Sequence, residues 1–180
     1  MHERPWLILS SREIYRNAWT RVREDIVQLP DGRTTIYGVV TLGECVGMLP
    51  LADDGRVLLV RQYRYVQGAV TWEMPTGGVK AGEAIEDAAR RELLEEGGLE
   101  AGRLTHLSSY HTSKGVVRET AHLFLAEELT AVETHERDET EFIATAWRPF
   151  EEVLRMVLAN EIVDSMTVIA VLTAARRLRI

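Results

Sequence analysis

The sequence predicts one mixed α/β (α+β) domain, a mixed sheet with helices packed around it and an antiparallel β unit at the N-terminus. Three observations carry this expectation. Short runs rich in β-branched and aromatic residues, broken by turn chemistry, fill most of the chain. Helical patterns begin near Ala84 and cover 149–159 and 164–178, one inside the series of strands and two after it. A chain of 180 residues, 46% of them hydrophobic, is long enough to bury one sizeable core and has no disordered signature. All of 1–180 is expected to form a single domain, with 1–43 as its N-terminal β-strand extension.

Taken in order, residues 6–28 alternate well enough for strands, Pro30-Asp31-Gly32 is a strong turn signal, and 33–42 returns. Residues 45–51 and 56–65, joined by the Ala52-Asp53-Asp54-Gly55 turn, are expected to pair as a second hairpin. The run VTWEMP, 70–75, supplies a short strand that ends in a glycine loop, and the acidic helix follows. Three more strands are expected at 104–112, 118–129 and 141–149 before the two C-terminal helices. The last helix is apolar on more than one face, which suits deep packing or a subunit interface. Arg176, Arg177 and Arg179 complement the negative end of its dipole. The sequence has no internal repeat, low-complexity segment or long linker.

The net charge of −7 argues against a general nucleic-acid coat, because phosphate backbones are held by clustered cations. A nucleotide-sized anion can still be held locally. Of the 21 basic residues only Lys80 and Lys114 are lysines, so the positive charge sits on guanidinium groups suited to bidentate phosphate contacts. Cys45 is the only cysteine, which excludes an intrachain disulfide and a thiolate metal cluster; its flanks read as strand and place it in the core. The opening residues lack the apolar stretch of a signal peptide, and 166–175 is too short to span a bilayer. No membrane association and a cytoplasmic location are expected.

The chemistry concentrates in GGVKAGEAIEDAARRELLEEGGLE, residues 77–100. At about 100° per residue, Ile85, Ala88 and Ala89 cluster on one helix face, and Glu92 and Glu96 project into the middle of that cluster. Glu86, Asp87, Arg90 and Arg91 point elsewhere. An ionised carboxylate removed from water must be paired, neutralised or bound to a metal. Acidic residues in a last helical turn also oppose the macrodipole, which favours cations there. A solvated acidic face is the ordinary alternative. Against it stand the glycines on both sides, Gly77, Gly78 and Gly82 entering and Gly97 and Gly98 leaving, which mark a tight loop and a helix stop. Glu92, Glu95 and Glu96 are three and four positions apart, so their side chains gather near one turn. Such hard oxygen donors suit Mg²⁺ or Mn²⁺; Mg²⁺ also retains waters and binds substrate phosphates.

This stretch resembles the signature of the Nudix hydrolases: G, five residues, E, seven residues, then R-E-U-x-E-E-x-G-U with U aliphatic. Gly77, Glu83, Arg91, Glu92, Leu93, Glu95, Glu96, Gly98 and Leu99 meet it without a departure. Outside it, 46–65, 71–83, the N-terminal VREDIVQLPDGR and the C-terminal DSMTVIAVLTAA look like the nucleoside-diphosphate-sugar branch of ADP-ribose pyrophosphatases, so the resemblance covers most of the chain. It implies an α/β/α sandwich with an added N-terminal antiparallel unit, which in that branch commonly helps build a homodimer and part of the substrate pocket. One position departs: Ser113-Lys114-Gly115 stands where ADP-ribose hydrolases typically carry Ser-Pro-Gly.

The resemblance implies metal-dependent hydrolysis of the pyrophosphate linkage of a nucleoside diphosphate sugar, ADP-ribose to AMP and ribose 5-phosphate first among them. GDP-mannose, another linked diphosphate or an oxidised nucleotide is the alternative substrate, and a non-catalytic nucleotide-sugar sensor the alternative class. Glu92 and Glu96 are the implied main metal ligands, Glu95 a ligand or a bridge to Arg91, and the Thr76 carbonyl a further ligand. Arg91 orients the glutamates, or forms an ordinary i,i+4 pair with Glu95. Gly77 lets the backbone approach the pyrophosphate. Glu83 either meets a metal through water or serves the helix start. A general base is expected from the acidic loop ETHERDETEF, with Glu139 and Glu141 as candidates. Arg61 and Arg64 of RQYR are expected to flank the phosphates on one face of their strand, and Glu119 to contact the terminal sugar or a metal. Trp72 and Tyr65 are stacking candidates, with core packing as the plainer role; His111 reads as a hydrogen-bonded loop residue.

Overall fold

The computed structural model describes residues 6–132 and 143–180. Its elements run β1 (Leu7–Arg16), β2 (Arg21–Gln28), β3 (Thr34–Pro50), β4 (Arg56–Arg64), β5 (Ala69–Glu73), β6 (Thr76–Gly78), α1 (Ile85–Gly97), β7 (Leu99–His111), β8 (Val117–Ala131), β9 (Ala144–Pro149), α2 (Phe150–Leu158) and α3 (Ser165–Leu178). They fall into two compact units, Met1–Glu44 with His111–Thr120, and Cys45–Tyr110 with Ala121–Ile180; β3, β7 and β8 contribute to both.

In the first unit β1, β2 and the first half of β3 form an antiparallel ribbon, paired from Leu7↔Gln28 to Arg16↔Arg21 and from Arg21↔Thr41 to Gln28↔Thr34. The β2–β3 turn forms because Gly32 takes φ 85°, a left-handed conformation that a side chain resists. Cross-strand ion pairs Arg12–Glu24 at 2.9 Å and Arg21–Glu13 at 2.8 Å favour the register. β1 is exposed along its whole length, and Leu7, Ile8, Leu9 and Ile14 all lie open.

In the second unit one sheet runs β3-β8-β7 with β6 paired to β3, and the other runs β5-β4-β9. Strand alternation sorts the side chains into two cores. Leu49, Val57, Leu59, Leu123 and Leu125 pack with Val153 and Val157 of α2 and Ala170 and Val171 of α3. Their neighbours Met48, Leu58, Phe124 and Ala126 pack instead with Ala88, Ala89 and Leu93 of α1. Strands apolar on both faces, covered by α1 on one side and by α2 and α3 on the other, make the α/β/α sandwich that the resemblance implies. No helix among the described residues is long and apolar enough to cross a membrane.

Several local expectations need correction. Residues 45–51 and 56–65 do not form a hairpin: β3 runs unbroken from Thr34 to Pro50, Leu51↔Val57 is a single bridge, and β4 pairs with β5 and β9. Val57, Leu58, Leu59 and Val60 are all buried, and a strand buried on both faces takes a central place with two partners of its own. The turn at Asp53-Asp54-Gly55 reverses the chain without setting the pairing. Gly43, at φ 107°, lets β3 pass through a conformation costly for other residues. β7 starts at Leu99 rather than 104, directly after the helix stop, and Thr76–Gly78, expected as loop, is the short strand β6. Cys45 is half-buried at the edge of the core rather than inside it.

Candidate active site

α1 ends where its glycine does: Gly98 takes φ 66° and its N–H donates to the Leu94 carbonyl at 2.9 Å. The helix buries Ala88, Ala89 and Leu93, and on the same side Glu96, which is 2% exposed. Burying that carboxylate demands a donor, and the Thr76 backbone N–H supplies one at 2.8 Å to Oε2. This contact ties the helix to β6. Gly77, next along β6, lies against Glu92: a Cβ built there would stand 1.9 Å from Cδ and 2.2 Å from both carboxylate oxygens. The glycine is therefore required for close approach, not for an unusual φ.

Arg91 organises the outer part of the cluster. Its Nε and Nη2 donate to the two oxygens of Glu83 at 2.8 and 2.9 Å, a bidentate fork, and Nη2 also donates to the Gly78 carbonyl at 3.0 Å. Nη1 donates to Glu92 at 2.6 Å and to Glu95 at 2.9 Å. Arg91 thus makes the i,i+4 pair with Glu95 and also hydrogen-bonds Glu92. Glu83, left between two roles, is the strongest partner of Arg91 and also accepts the Lys80 N–H at 2.9 Å.

The hydrogen bonds from Arg91, then that from Lys80, pull the Glu83 carboxyl down to about 2, and Glu83 above all keeps Arg91 charged. A depressed folded-state value means that this link contributes fully above the ordinary carboxylate value and is lost as pH falls toward about 2. A ¹³C titration of Glu83 is expected to give a midpoint near 2, moving up toward 4.5 in Arg91→Ala. An unshifted midpoint in the parent protein would show that the fork does not persist in solution.

As donors, these groups fit a hard divalent ion. Glu92 and Glu95 aim oxygens at one guanidinium nitrogen, so they already converge on a point of positive charge. Among the described residues no three His, Cys, Asp or Glu side chains stand together in a metal-holding arrangement. In these positions Arg91 engages Glu92 and Glu95 while Thr76 engages Glu96.

Beside β6 a cavity of about 230 Å³ is lined by Arg64, Thr71, Glu73, Thr76, Asp164 and Met166 among others. Arg64 is clamped by Glu73, with Nε at 3.0 Å from each oxygen and Nη2 at 2.5 Å from Oε2. Glu73, 4% exposed, also takes a hydrogen bond from Thr71. The hydrogen bonds to Glu73, with lesser fields from Glu96 and Asp164, keep Arg64 charged. The wall is fixed by a relay: the Met74 N–H donates to Thr167 Oγ1 at 3.0 Å, and that hydroxyl donates to Asp164 at 2.6 Å at the start of α3. A larger hollow, about 730 Å³, opens at Trp72, Arg148 and Arg155; no signature carboxylate lines it.

Arg61 does not join Arg64. Three residues is an odd step along a strand, so the two point to opposite faces; Arg61 lies over Trp72 at 5.7 Å while Arg64 turns to Glu73. Trp72 packs on the core and carries Arg148 at 5.1 Å as well, and Tyr65 is 89% exposed in the β4–β5 turn. Glu119 belongs to the first unit and accepts a hydrogen bond from Thr112 at 2.6 Å. His111 is in that unit too, 3.4 Å from the Thr120 hydroxyl. Glu139 and Glu141 lie outside the described residues. Sequence reasoning missed Glu73 and Asp164. The available signal for Glu73 was a carboxylate inside the otherwise apolar or neutral run VTWEMP.

Comparison with known proteins identifies the family and the fold. Residues 41–166 match the NUDIX domain model, and 4–40 match the nucleoside diphosphate sugar hydrolase N-terminal domain. The ADP-ribose pyrophosphatase of Bacillus subtilis is 36% identical over 81% of this chain and 79% of its own length. That of Mycobacterium tuberculosis is 34% identical over 96% of this chain and 84% of its own. A crystal structure of an ADP compounds hydrolase superposes with a TM-score of 0.88 at 21% identity, covering 99% of this chain and 97% of that one, which establishes the common fold. With its complete signature laid along α1 and β6, this chain belongs to the Nudix family of hydrolases.

Proposed function

We propose that this Nudix hydrolase cleaves the pyrophosphate linkage of a nucleoside diphosphate sugar, with ADP-ribose as first substrate and AMP and ribose 5-phosphate as products. The observation that carries the reading is the carboxylate set of α1 held against β6: Glu96 on the Thr76 N–H and Glu92 on the bare backbone of Gly77. In the reaction a water oxygen bonds to one phosphorus, the bridging P–O bond breaks, and the released oxygen leaves with the other phosphate. Glu92, Glu95 and Glu96, with the Thr76 carbonyl, would hold Mg²⁺, or Mn²⁺ in its place. When bound, such an ion neutralises phosphate charge and makes water a better nucleophile.

The chain's own groups do the rest. Arg91 keeps Glu92 and Glu95 oriented. Arg64, preset by Glu73, offers its remaining guanidinium edge to a phosphate. Glu139 or Glu141 is the proposed general base. Arg61 and Glu119 remain proposed substrate contacts, Arg61 from the Trp72 face of its hairpin. We further propose a homodimer built through residues 1–43 as an extension of the catalytic domain, supported by the exposed Leu7, Ile8, Leu9 and Ile14 of β1. A cytoplasmic location is in keeping with the single cysteine.

The test is a panel of ADP-ribose, GDP-mannose, other nucleotide sugars and oxidised nucleoside triphosphates, ranked by kcat/KM with Mg²⁺. ADP-ribose is expected to lead. Because Ser113-Lys114-Gly115 departs from the usual loop, a lead for GDP-mannose would move the substrate within the same chemistry, and tight binding without turnover would favour a sensor. Glu73→Gln is expected to raise KM about tenfold, the loss of roughly 1.4 kcal/mol of phosphate binding, with kcat changed less. An unchanged KM would separate Arg64 from substrate binding.

A further inference from the structure

On the β7–β8 pair, none of whose residues the reading above uses within the second unit, two imidazoles meet at one hydroxyl. His106 Nε2 lies 2.8 Å from Ser109 Oγ, and His122 Nδ1 lies 2.8 Å from the same oxygen. His106 is held edge-on to Phe124, with ring centroids 5.6 Å apart and planes at 73°, so its orientation is supported by packing. Ser109 has one proton and two lone pairs, so it can donate to one ring and accept from the other. That arrangement uses one ring nitrogen as acceptor and one as donor, with both directed at the same small volume.

We propose that His106, Ser109 and His122 form a second metal site, selective for Zn²⁺, Ni²⁺ or Cu²⁺. Imidazole nitrogen suits these borderline ions, whereas carboxylates suit Mg²⁺ and Mn²⁺, so the two sites differ in ligand chemistry. A metal–nitrogen bond of about 2.0–2.1 Å is shorter than the 2.8 Å at which each ring meets the Ser109 hydroxyl, so on binding the rings draw in and that oxygen either coordinates the ion or gives way to it. Each ring then presents a lone pair inward and carries its proton on the other nitrogen. Ser109 Oγ or water fills the remaining positions. The site joins two neighbouring strands, so occupancy stabilises the fold by mass action. Only a neutral imidazole ligates, so protons compete with the metal and affinity falls as pH is lowered.

The experiment uses the untagged full chain, freed of metals with chelator and kept in excess Mg²⁺, titrated with Ni²⁺ by calorimetry at pH 7.5 and 5.5. One Ni²⁺ per chain is expected at the higher pH, with a raised melting temperature, and affinity at least about tenfold weaker at the lower. His106→Gln and His122→Gln are each expected to weaken binding about tenfold or more, while His111→Gln and the double change His2→Gln, His135→Gln leave it unchanged. His106 is exposed, so its variant serves even where His122→Gln fails to fold. No saturable binding below roughly 1 mM, or equal binding in the His106 and His122 variants, overturns the proposal. Either result leaves the hydrolase reading untouched, since that reading rests on other residues.

Discussion

Glu96→Gln is expected to lower turnover of ADP-ribose on the order of 10²–10³-fold while leaving the fold intact. Glutamine keeps the size of the side chain and an oxygen that still accepts the Thr76 N–H, so the link between α1 and β6 survives. What is lost is the negative charge of a side chain only 2% exposed, bonded to Thr76 of the cavity wall and close enough for its field to reach Arg64. Steady-state kinetics read together with a thermal melt separate the two effects: kcat collapses and the melting temperature moves by a few degrees at most. Wild-type turnover in this variant would mean that Glu96 is a structural buried acid and nothing more.

Gly77→Ala is expected to be nearly as damaging, about 100-fold in turnover, although it adds a single methyl group. That methyl would fall 1.9 Å from the Glu92 carboxyl carbon, so the side chain must swing away from both β6 and its 2.6 Å bond with Arg91. Gly78→Ala is the internal control, because a Cβ there meets nothing within 4 Å. It is expected to stay within about threefold of the parent, and equal behaviour of the two alanine variants would remove Gly77 from the site.

The signature helix, its glycine stop and the cluster around Arg91 were legible because their determinants are local. Helical spacing gathers Glu92, Glu95 and Glu96, and Gly98 at φ 66° ends the turn that carries them. The pairing of β4 was not legible. The turn at Asp53-Asp54-Gly55 announces a reversal, but the partner of a doubly buried strand is set by tertiary packing with β5 and β9. Arg61 and Arg64 show the opposite kind of miss, since an odd spacing along a strand already separates them. Glu73 escaped notice because its importance lies in a partner nine residues back along the chain, and Asp164 because its relay through Thr167 runs from Met74, just after β5, to α3.

The most direct test of the central claim is ³¹P NMR of the purified chain with ADP-ribose, with Mg²⁺ and with chelator. The account predicts that the pyrophosphate resonances are replaced by two phosphomonoester resonances, AMP and ribose 5-phosphate, only when the metal is present. Pyrophosphate signals that persist with Mg²⁺ and with Mn²⁺, across ADP-ribose and the other linked diphosphates, would contradict it.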